Sequence, residues 1–82
     1  MEVQVRFFAR YRELVGSGSL ALDVPSGSTA ADVFDSLAER YPALREMRQS
    51  TLMAMNEEFV RPETRLVEGA ELVLMPPVSG GA

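Results

Sequence analysis

Apolar and polar residues alternate near the start of the chain, with the period of two that is typical of half-buried strands. One strand is predicted over residues 2–8 and a second over residues 20–24, separated by a short helical turn over residues 9–15 that ends at Gly16. The short connection favours antiparallel pairing of the two strands. The inward-facing positions are Val3, Val5 and Phe7 in the first strand and Leu20, Leu22 and Val24 in the second.

The pattern changes to the helical period at Thr29, a predicted N-cap residue with Asp32 three residues later to complete a capping box. The apolar residues that follow fall on one stripe of a helix, and Pro42 ends it. A weaker turn over residues 43–49 places Leu44 and Met47 inward. We expect the stripe to be the core face of the helix; its residues are Ala30, Val33, Phe34, Leu37, Ala38 and Tyr41.

Three strand segments are predicted after the helix. The first covers residues 51–56, and the turn at Asn56-Glu57-Glu58 returns the chain in a short edge strand at Phe59-Val60. The last strand covers residues 71–75. This order of elements favours an α+β roll, a mixed sheet of about five strands packed on one main helix. The prediction is therefore a β-grasp domain over residues 1–75, followed by an extended, flexible tail over residues 76–82.

The helix is expected to cover one face of this sheet and to leave the other open. The covered face is predicted to hold Val3, Val5, Phe7, Leu52, Leu72 and Leu74. The open face is predicted to hold Phe8, Met53, Met55, Val73 and Met75, beside Arg6. Flexible methionine side chains suit a protein-docking surface, which we favour over the alternative that these are scattered exposed apolar residues.

Composition narrows the chemistry that the 82 residues can perform. There is no histidine and no cysteine, so the usual general base, thiolate nucleophiles and thiolate metal sites are excluded. We therefore expect a protein that is not an enzyme by itself. A net charge of −4 argues against nucleic acid as a partner. No apolar run is long enough for a membrane span, and we expect a cytoplasmic protein. All eight basic residues are arginine, so the chain has no lysine to accept an isopeptide bond.

The tail combines a stiff base with an unhindered end. Pro76 and Pro77 fix the backbone and remove two amide donors, so the last strand cannot continue past them. Gly80 and Gly81 lack Cβ atoms and can enter a channel that is too narrow for ordinary side chains. The alternative is a frayed, glycine-rich terminus. A stiff base before the glycines favours a tail that is presented to a partner.

Several motifs resemble those of one family of ubiquitin-like sulfur carriers. The segment Val5-Arg6-Phe7-Phe8-Ala9-Arg10-Tyr11-Arg12-Glu13, the turns at residues 55–57 and 68–71, and above all Pro76-Pro77-Val78-Ser79-Gly80-Gly81 look like the MoaD-type small subunit of molybdopterin synthase. The resemblance covers essentially the whole chain. It implies a sulfur carrier subunit with no side-chain active site of its own, no bound cofactor, and a terminal glycine as the reactive group.

The resemblance also implies partners and a reaction. An adenylating enzyme (MoeB type) would use ATP to activate the carboxylate of Gly81, and sulfur transfer would convert it to a thiocarboxylate. A large catalytic subunit of molybdopterin synthase (MoaE type) would then receive the tail and pass the sulfur to cyclic pyranopterin monophosphate. Gly80 would give access to the reacting carbon. Phe8, Met53, Met55, Val73, Met75, Pro76, Pro77 and Val78 would bind the partners.

The sequence departs from the family pattern at its last residue. Ala82 follows Gly81, so either a protease removes it, or it is an artefact, or the chain is a relative that is not thiolated. Ala70 also stands where the family usually has an acid. Other functions remain open: a ubiquitin-like modifier joined to lysines of target proteins, a sulfur carrier for tRNA thiolation, thiamine or cysteine synthesis, or an interaction domain without acyl chemistry.

Overall fold

The computed structural model describes residues 1–77. The elements are β1 (Glu2–Phe7), α1 (Ala9–Val15), β2 (Ser19–Asp23), α2 (Ala30–Arg40), a 3-10 helix (Pro42–Met47), β3 (Leu52–Met55), β4 (Glu58–Val60) and β5 (Glu71–Met75). Every predicted element is present, and most boundaries agree within one or two residues. The end of the tail, Val78 to Ala82, lies outside the described residues.

One five-stranded sheet has the order β2-β1-β5-β3-β4. The last strand, β5, lies in the middle, where it pairs parallel to β1 and antiparallel to β3. The outer pairs, β1 with β2 and β3 with β4, are antiparallel. This mixed sheet with α2 packed against it confirms the predicted α+β, β-grasp fold.

Helix α2 begins at the capping box that the sequence predicts. The amide of Asp32 donates to the Thr29 hydroxyl oxygen at 3.1 Å, and the amide of Thr29 donates to the Asp32 carboxylate at 3.0 Å. These two bonds satisfy donors that a helix start otherwise leaves unpaired. The buried stripe of the helix consists of Ala30, Val33, Phe34, Leu37 and Ala38.

The core lies between α2 and one face of the sheet. The predicted core residues Phe7, Val33, Phe34, Leu37, Leu72 and Leu74 are all buried in one cluster. Leu44 of the 3-10 helix is buried in the same cluster and Met47 packs against it, as predicted. Tyr11 of α1 is also fully buried, which extends the core beyond the main helix.

The predicted orientation of β3 is wrong by one residue. Met53 pairs with Leu74 and Met55 pairs with Leu72, so both methionines lie on the helix-covered face. Met53 is only 3% exposed and Met55 packs against the core. Leu52, expected on the covered face, instead lies on the open face. A one-residue shift of this kind exchanges the faces of every side chain in a strand.

The hairpin between β3 and β4 is a two-residue turn. Met55 pairs with Glu58, so only Asn56 and Glu57 form the loop. Both residues have positive φ, 50° for Asn56 and 72° for Glu57. Positive φ at both loop positions is typical of the tight turns that match the twist of paired strands. The turn predicted at Asn56 is confirmed.

Two kinds of feature are absent from residues 1–77. Within this range, no helix combines the length and apolar character that crossing a bilayer requires. The same part of the chain has no group of three or more acidic side chains placed to hold a metal ion.

Candidate functional site

The open face of the sheet is apolar along its centre. Neighbouring strands place side chains in two rows across it, because residues that are directly paired share a face. One row is formed by Arg6, Val73, Ala54 and Phe59, and the other by Met75 and Leu52. Phe8, which follows β1 with an extended backbone and donates its amide to the Leu74 carbonyl, continues the second row past the end of β1. These seven residues form the end of the open face that is next to the tail, and Gln4, Ala21 and Glu71 continue the same side towards the other end of the sheet.

Two aromatic side chains are the most exposed apolar groups on this face. Phe59 is 67% exposed and Phe8 is 47% exposed. Val73, Met75 and Leu52 are half-buried between them. Large exposed aromatic groups that surround a continuous apolar surface are typical of protein-binding sites rather than of isolated surface residues.

The predicted partner-binding residues do not all lie on the same face of the sheet. Phe8, Val73 and Met75 lie together on the open face, whereas Met53 and Met55 are removed from it by the orientation of β3. Sequence reasoning missed Leu52, Ala54 and Phe59 as members of this surface. Phe59 could have been found, since an aromatic residue in a three-residue edge strand has little core to enter.

A groove of about 460 Å³ continues the open face at the β3–β4 edge. It begins at Leu52 and Phe59, which belong to both surfaces. The remaining lining residues are Gln49, Thr51, Met53, Val60, Arg61 and Pro62. An apolar groove joined to an apolar face gives a partner room for inserted side chains.

The tail leaves the domain from this same end of the sheet. Met75, the last residue of β5, pairs with Leu52, and both Pro76 and Pro77 that follow are exposed. The predicted reactive residues Gly80 and Gly81, and the predicted contact residue Val78, lie outside the described residues. A protein that covers the open face would therefore also be next to the point where the tail begins.

Charged side chains border the apolar rows. The guanidinium group of Arg6 lies 6.0 Å from the centre of the Phe8 ring, within the range of a cation–π contact. An Nη atom of Arg6 also lies 3.9 Å from the carboxylate of Glu71 on β5. Both partners of that ion pair are about half exposed, so the pair contributes little to stability.

The chain resembles known proteins over its whole length. The ThiS family model matches residues 5–81. The molybdopterin synthase sulfur carrier subunit of Arabidopsis thaliana is 41% identical over 81 residues, which cover 99% of this chain and 84% of that protein.

Solved structures agree with the fold. SAMP1 from Haloferax volcanii superposes with a TM-score of 0.83 at 31% identity, covering 99% of this chain and all of the other. A complex of subunits 1 and 2 of the molybdopterin-converting factor from Helicobacter pylori contains a chain with a TM-score of 0.68 at 23% identity, covering 99% of this chain and 100% of that one. The match of the family model to nearly every residue decides the assignment: this chain belongs to the ThiS family.

Proposed function

We propose that this protein is the sulfur carrier subunit of a molybdopterin synthase. The observation that carries the proposal is the Pro76-Pro77-Val78-Ser79-Gly80-Gly81 motif, which directly follows the central strand β5 at the edge of an apolar open face. The whole-chain likeness to a plant protein of that name supports it. In this role the folded domain binds the partner proteins, and the terminal glycine of the tail is the reacting group.

The reaction that we propose begins at the carboxylate of Gly81. Its oxygen attacks the α-phosphorus of ATP in an adenylating enzyme, which releases pyrophosphate and leaves an acyl-adenylate. A sulfide-level donor, chemically equivalent to hydrosulfide, then attacks the acyl carbon, AMP leaves with the carbon–oxygen bond broken, and loss of a proton gives the thiocarboxylate. A carboxylate needs this activation because its oxygen is a poor leaving group. Glycine at the reacting position lets the nucleotide and the enzyme backbone approach closely.

The length of the tail fits delivery into a partner's active site. Four residues, from Val78 to Gly81, extend at most about 14 Å beyond Pro77. The open face would bind the partner's surface while the tail enters a channel. In the proposed pathway the large synthase subunit receives the thiocarboxylate, and the sulfur passes to cyclic pyranopterin monophosphate. The Helicobacter pylori complex, in which subunit 1 binds subunit 2, supports a two-protein arrangement of this kind.

The test compares three forms of the protein with one adenylating enzyme: the chain that ends at Gly81, the chain that ends at Ala82, and the Gly81→Ala variant of the shorter chain. We expect rapid pyrophosphate release, and then the mass gain of one sulfur replacing one oxygen, only for the chain that ends at Gly81. Both forms with a terminal alanine should be activated slowly, because the extra Cβ obstructs the channel. A protease that removes Ala82 is the partner that this proposal adds.

The outcomes separate the proposed function from its alternatives. Equal activation of the Ala82 and Gly81 forms would contradict the proposed removal of Ala82. No activation of any form, with the proteins folded, would favour an interaction domain without acyl chemistry. Addition of the large synthase subunit and cyclic pyranopterin monophosphate then tests the acceptor: a thiocarboxylate that is not consumed would assign the carrier to tRNA thiolation, thiamine or cysteine synthesis.

A second function is supported by the likeness to SAMP1, which is 31% identical. A second solved structure, 27% identical with a TM-score of 0.84, carries the full name of that Haloferax volcanii protein, small archaeal modifier protein 1. In that function, an amine of a target protein attacks the activated glycine and forms an amide. Larger covalent adducts in cells, which disappear when Gly81 is changed, would support it. Because this chain has no lysine, it cannot extend such adducts into lysine-linked chains.

A further inference from the structure

The corner of the open face at the carboxyl end of β1 carries positive charge. Residues 6–12 contain three arginines and no acidic residue, although the whole chain has a net charge of −4. With the Glu71 carboxylate beside Arg6 included, three arginines and one acid still leave this corner positive, opposite in sign to the protein as a whole. A local field of this kind attracts an acidic group and orients whatever protein carries it.

A small polar cup is formed at this corner, where β1, α1 and the start of β2 meet. Its volume is about 280 Å³, and no carboxylate lines it. The lining residues are Arg6, Phe7, Phe8, Arg12, Gly18 and Ser19. We call this feature the arginine cup.

The two guanidinium groups of the cup are supported by their surroundings. Arg6 lies over the Phe8 ring, and the Arg12 side chain packs against the backbone at Gly18, where an added Cβ would lie 3.6 Å from Nε. Such support reduces the conformational freedom that an arginine loses when it binds a ligand. The cup is thus partly preorganised for a planar anionic group.

Neither arginine is strongly engaged by an acid of its own chain. The contact between Arg6 and Glu71 is 3.9 Å long and open to solvent, which makes it easy to exchange. Arg12 forms no ion pair with any acidic residue among positions 1–77. Both guanidinium groups therefore retain donors for an external carboxylate.

We propose that the arginine cup binds an aspartate or glutamate side chain of the adenylating enzyme that docks on the open face. Phe8 belongs to both surfaces, so a protein that covers the apolar rows also reaches the cup. This inference rests on the proposed function, which supplies the docking enzyme. It adds the chemistry of one contact: a carboxylate held between Arg6 and Arg12, with the apolar rows beside it.

The cup should govern the rate and the orientation of docking more than the total affinity. Charges at the border of an interface steer the encounter and reject partners of the same sign, while apolar contacts supply most of the binding energy. The carboxylate would approach one end of the open face, next to the tail. It would thereby align the start of the tail with the channel of the enzyme.

The experiment measures association and dissociation rates of the chain ending at Gly81 with its adenylating enzyme at low and at physiological salt. The variants are Arg6→Gln, Arg12→Gln and the double variant, with Arg10→Gln as the matched control. Arg10 is an exposed arginine of α1 that does not line the cup. At low salt we expect a fall in the association rate of about fivefold for each cup variant and more than about tenfold for the double variant. We expect the control to change it by less than about twofold, and the difference between cup and control to shrink at high salt.

Thermal unfolding shows whether the variants fold. Because Arg6 and Arg12 are exposed, the melting temperatures of the variants should match that of the parent chain. A second readout is a charge exchange: replacing the contacted acid of the enzyme by arginine should slow association with the parent chain and be partly rescued by Arg6→Glu.

Three results would overturn the proposal. In the first, Arg10→Gln slows association as much as the cup variants, so that only overall charge matters. In the second, Phe8→Ala weakens binding but the cup variants do not. In the third, millimolar inorganic phosphate shifts the amide resonances of Gly18 and Ser19 while Arg6→Gln leaves enzyme binding unchanged, which would assign the cup to a free anion. Thiocarboxylate formation by the parent chain, measured in parallel, reports on the proposed function independently of the cup variants.

Discussion

The hydroxyl group of Tyr11 joins three elements of the core through a two-step hydrogen-bond chain. It lies 2.8 Å from the Thr51 hydroxyl, which in turn donates to the carbonyl of Met47 at 2.6 Å. Because Thr51 has one hydroxyl hydrogen and gives it to Met47, Tyr11 must be the donor in the first bond. Helix α1, the 3-10 helix and the residue before β3 are thereby held in register.

Tyr11→Phe should destabilise the protein by about 1 kcal/mol, because it removes this donor and leaves the ring in place. Urea unfolding of the parent and variant chains measures the difference. The matched control is Tyr41→Phe, since the Tyr41 hydroxyl makes no hydrogen bond within residues 1–77 and its ring is only half-buried. An equal loss in both variants would contradict the role assigned to the Tyr11 bond.

The tight turn between β3 and β4 carries strain at one position. Glu57 has a φ of 72°, a conformation that costs residues with a Cβ atom about 1–2 kcal/mol. Asn56, with a φ of 50°, tolerates this region better because its short polar side chain can bond locally. The turn therefore contains one residue that tolerates a positive φ, Asn56, and one that does not, Glu57.

Glu57→Gly should stabilise the protein by about 0.5–1 kcal/mol, because the relief of strain exceeds the added entropy of the unfolded glycine. The control is Glu58→Gly, one residue later in β4, where φ is not positive and glycine should destabilise the strand. Thermal unfolding of both variants is sufficient. A gain in stability for both glycines would mean that removing an acidic side chain, rather than relieving strain, is responsible.

Sequence patterns predict the elements that have a clear period or a clear end. Alternation identifies β1, the capping box identifies α2, and Pro76 identifies the end of β5. The orientation of β3 cannot be found in this way, because Leu52, Met53, Ala54 and Met55 are all apolar and carry no alternation. Only its pairing with β5 decides which side faces the helix. The sequence consequently predicts Arg6, Phe8, Val73 and Met75 of the open face, assigns the wrong residues of β3 to it, and misses Phe59 of β4.

The two faces of the sheet have different roles: residues on the helix-covered face stabilise the domain, and residues on the open face are expected to bind the partner. Met53→Asp should destabilise the domain by more than about 3 kcal/mol, because it places an unpaired charge in the core. Met75→Asp, on the open face, should change stability by less than about 1 kcal/mol and weaken binding to the adenylating enzyme. Chemical denaturation and a binding titration on the two variants measure both quantities. A collapse of the Met75 variant would instead place that side chain among the core residues.

The central position of β5 has a mechanical consequence. When a partner draws in the tail, the pull acts along a strand that has four paired residues on the β1 side and four on the β3 side. Because β1 and β5 run parallel, tension between the tail and the start of β1 loads their hydrogen bonds together, in shear, rather than breaking them one after another. A domain loaded in shear resists mechanical unfolding. A force applied to the tail should therefore move the whole domain as a rigid body.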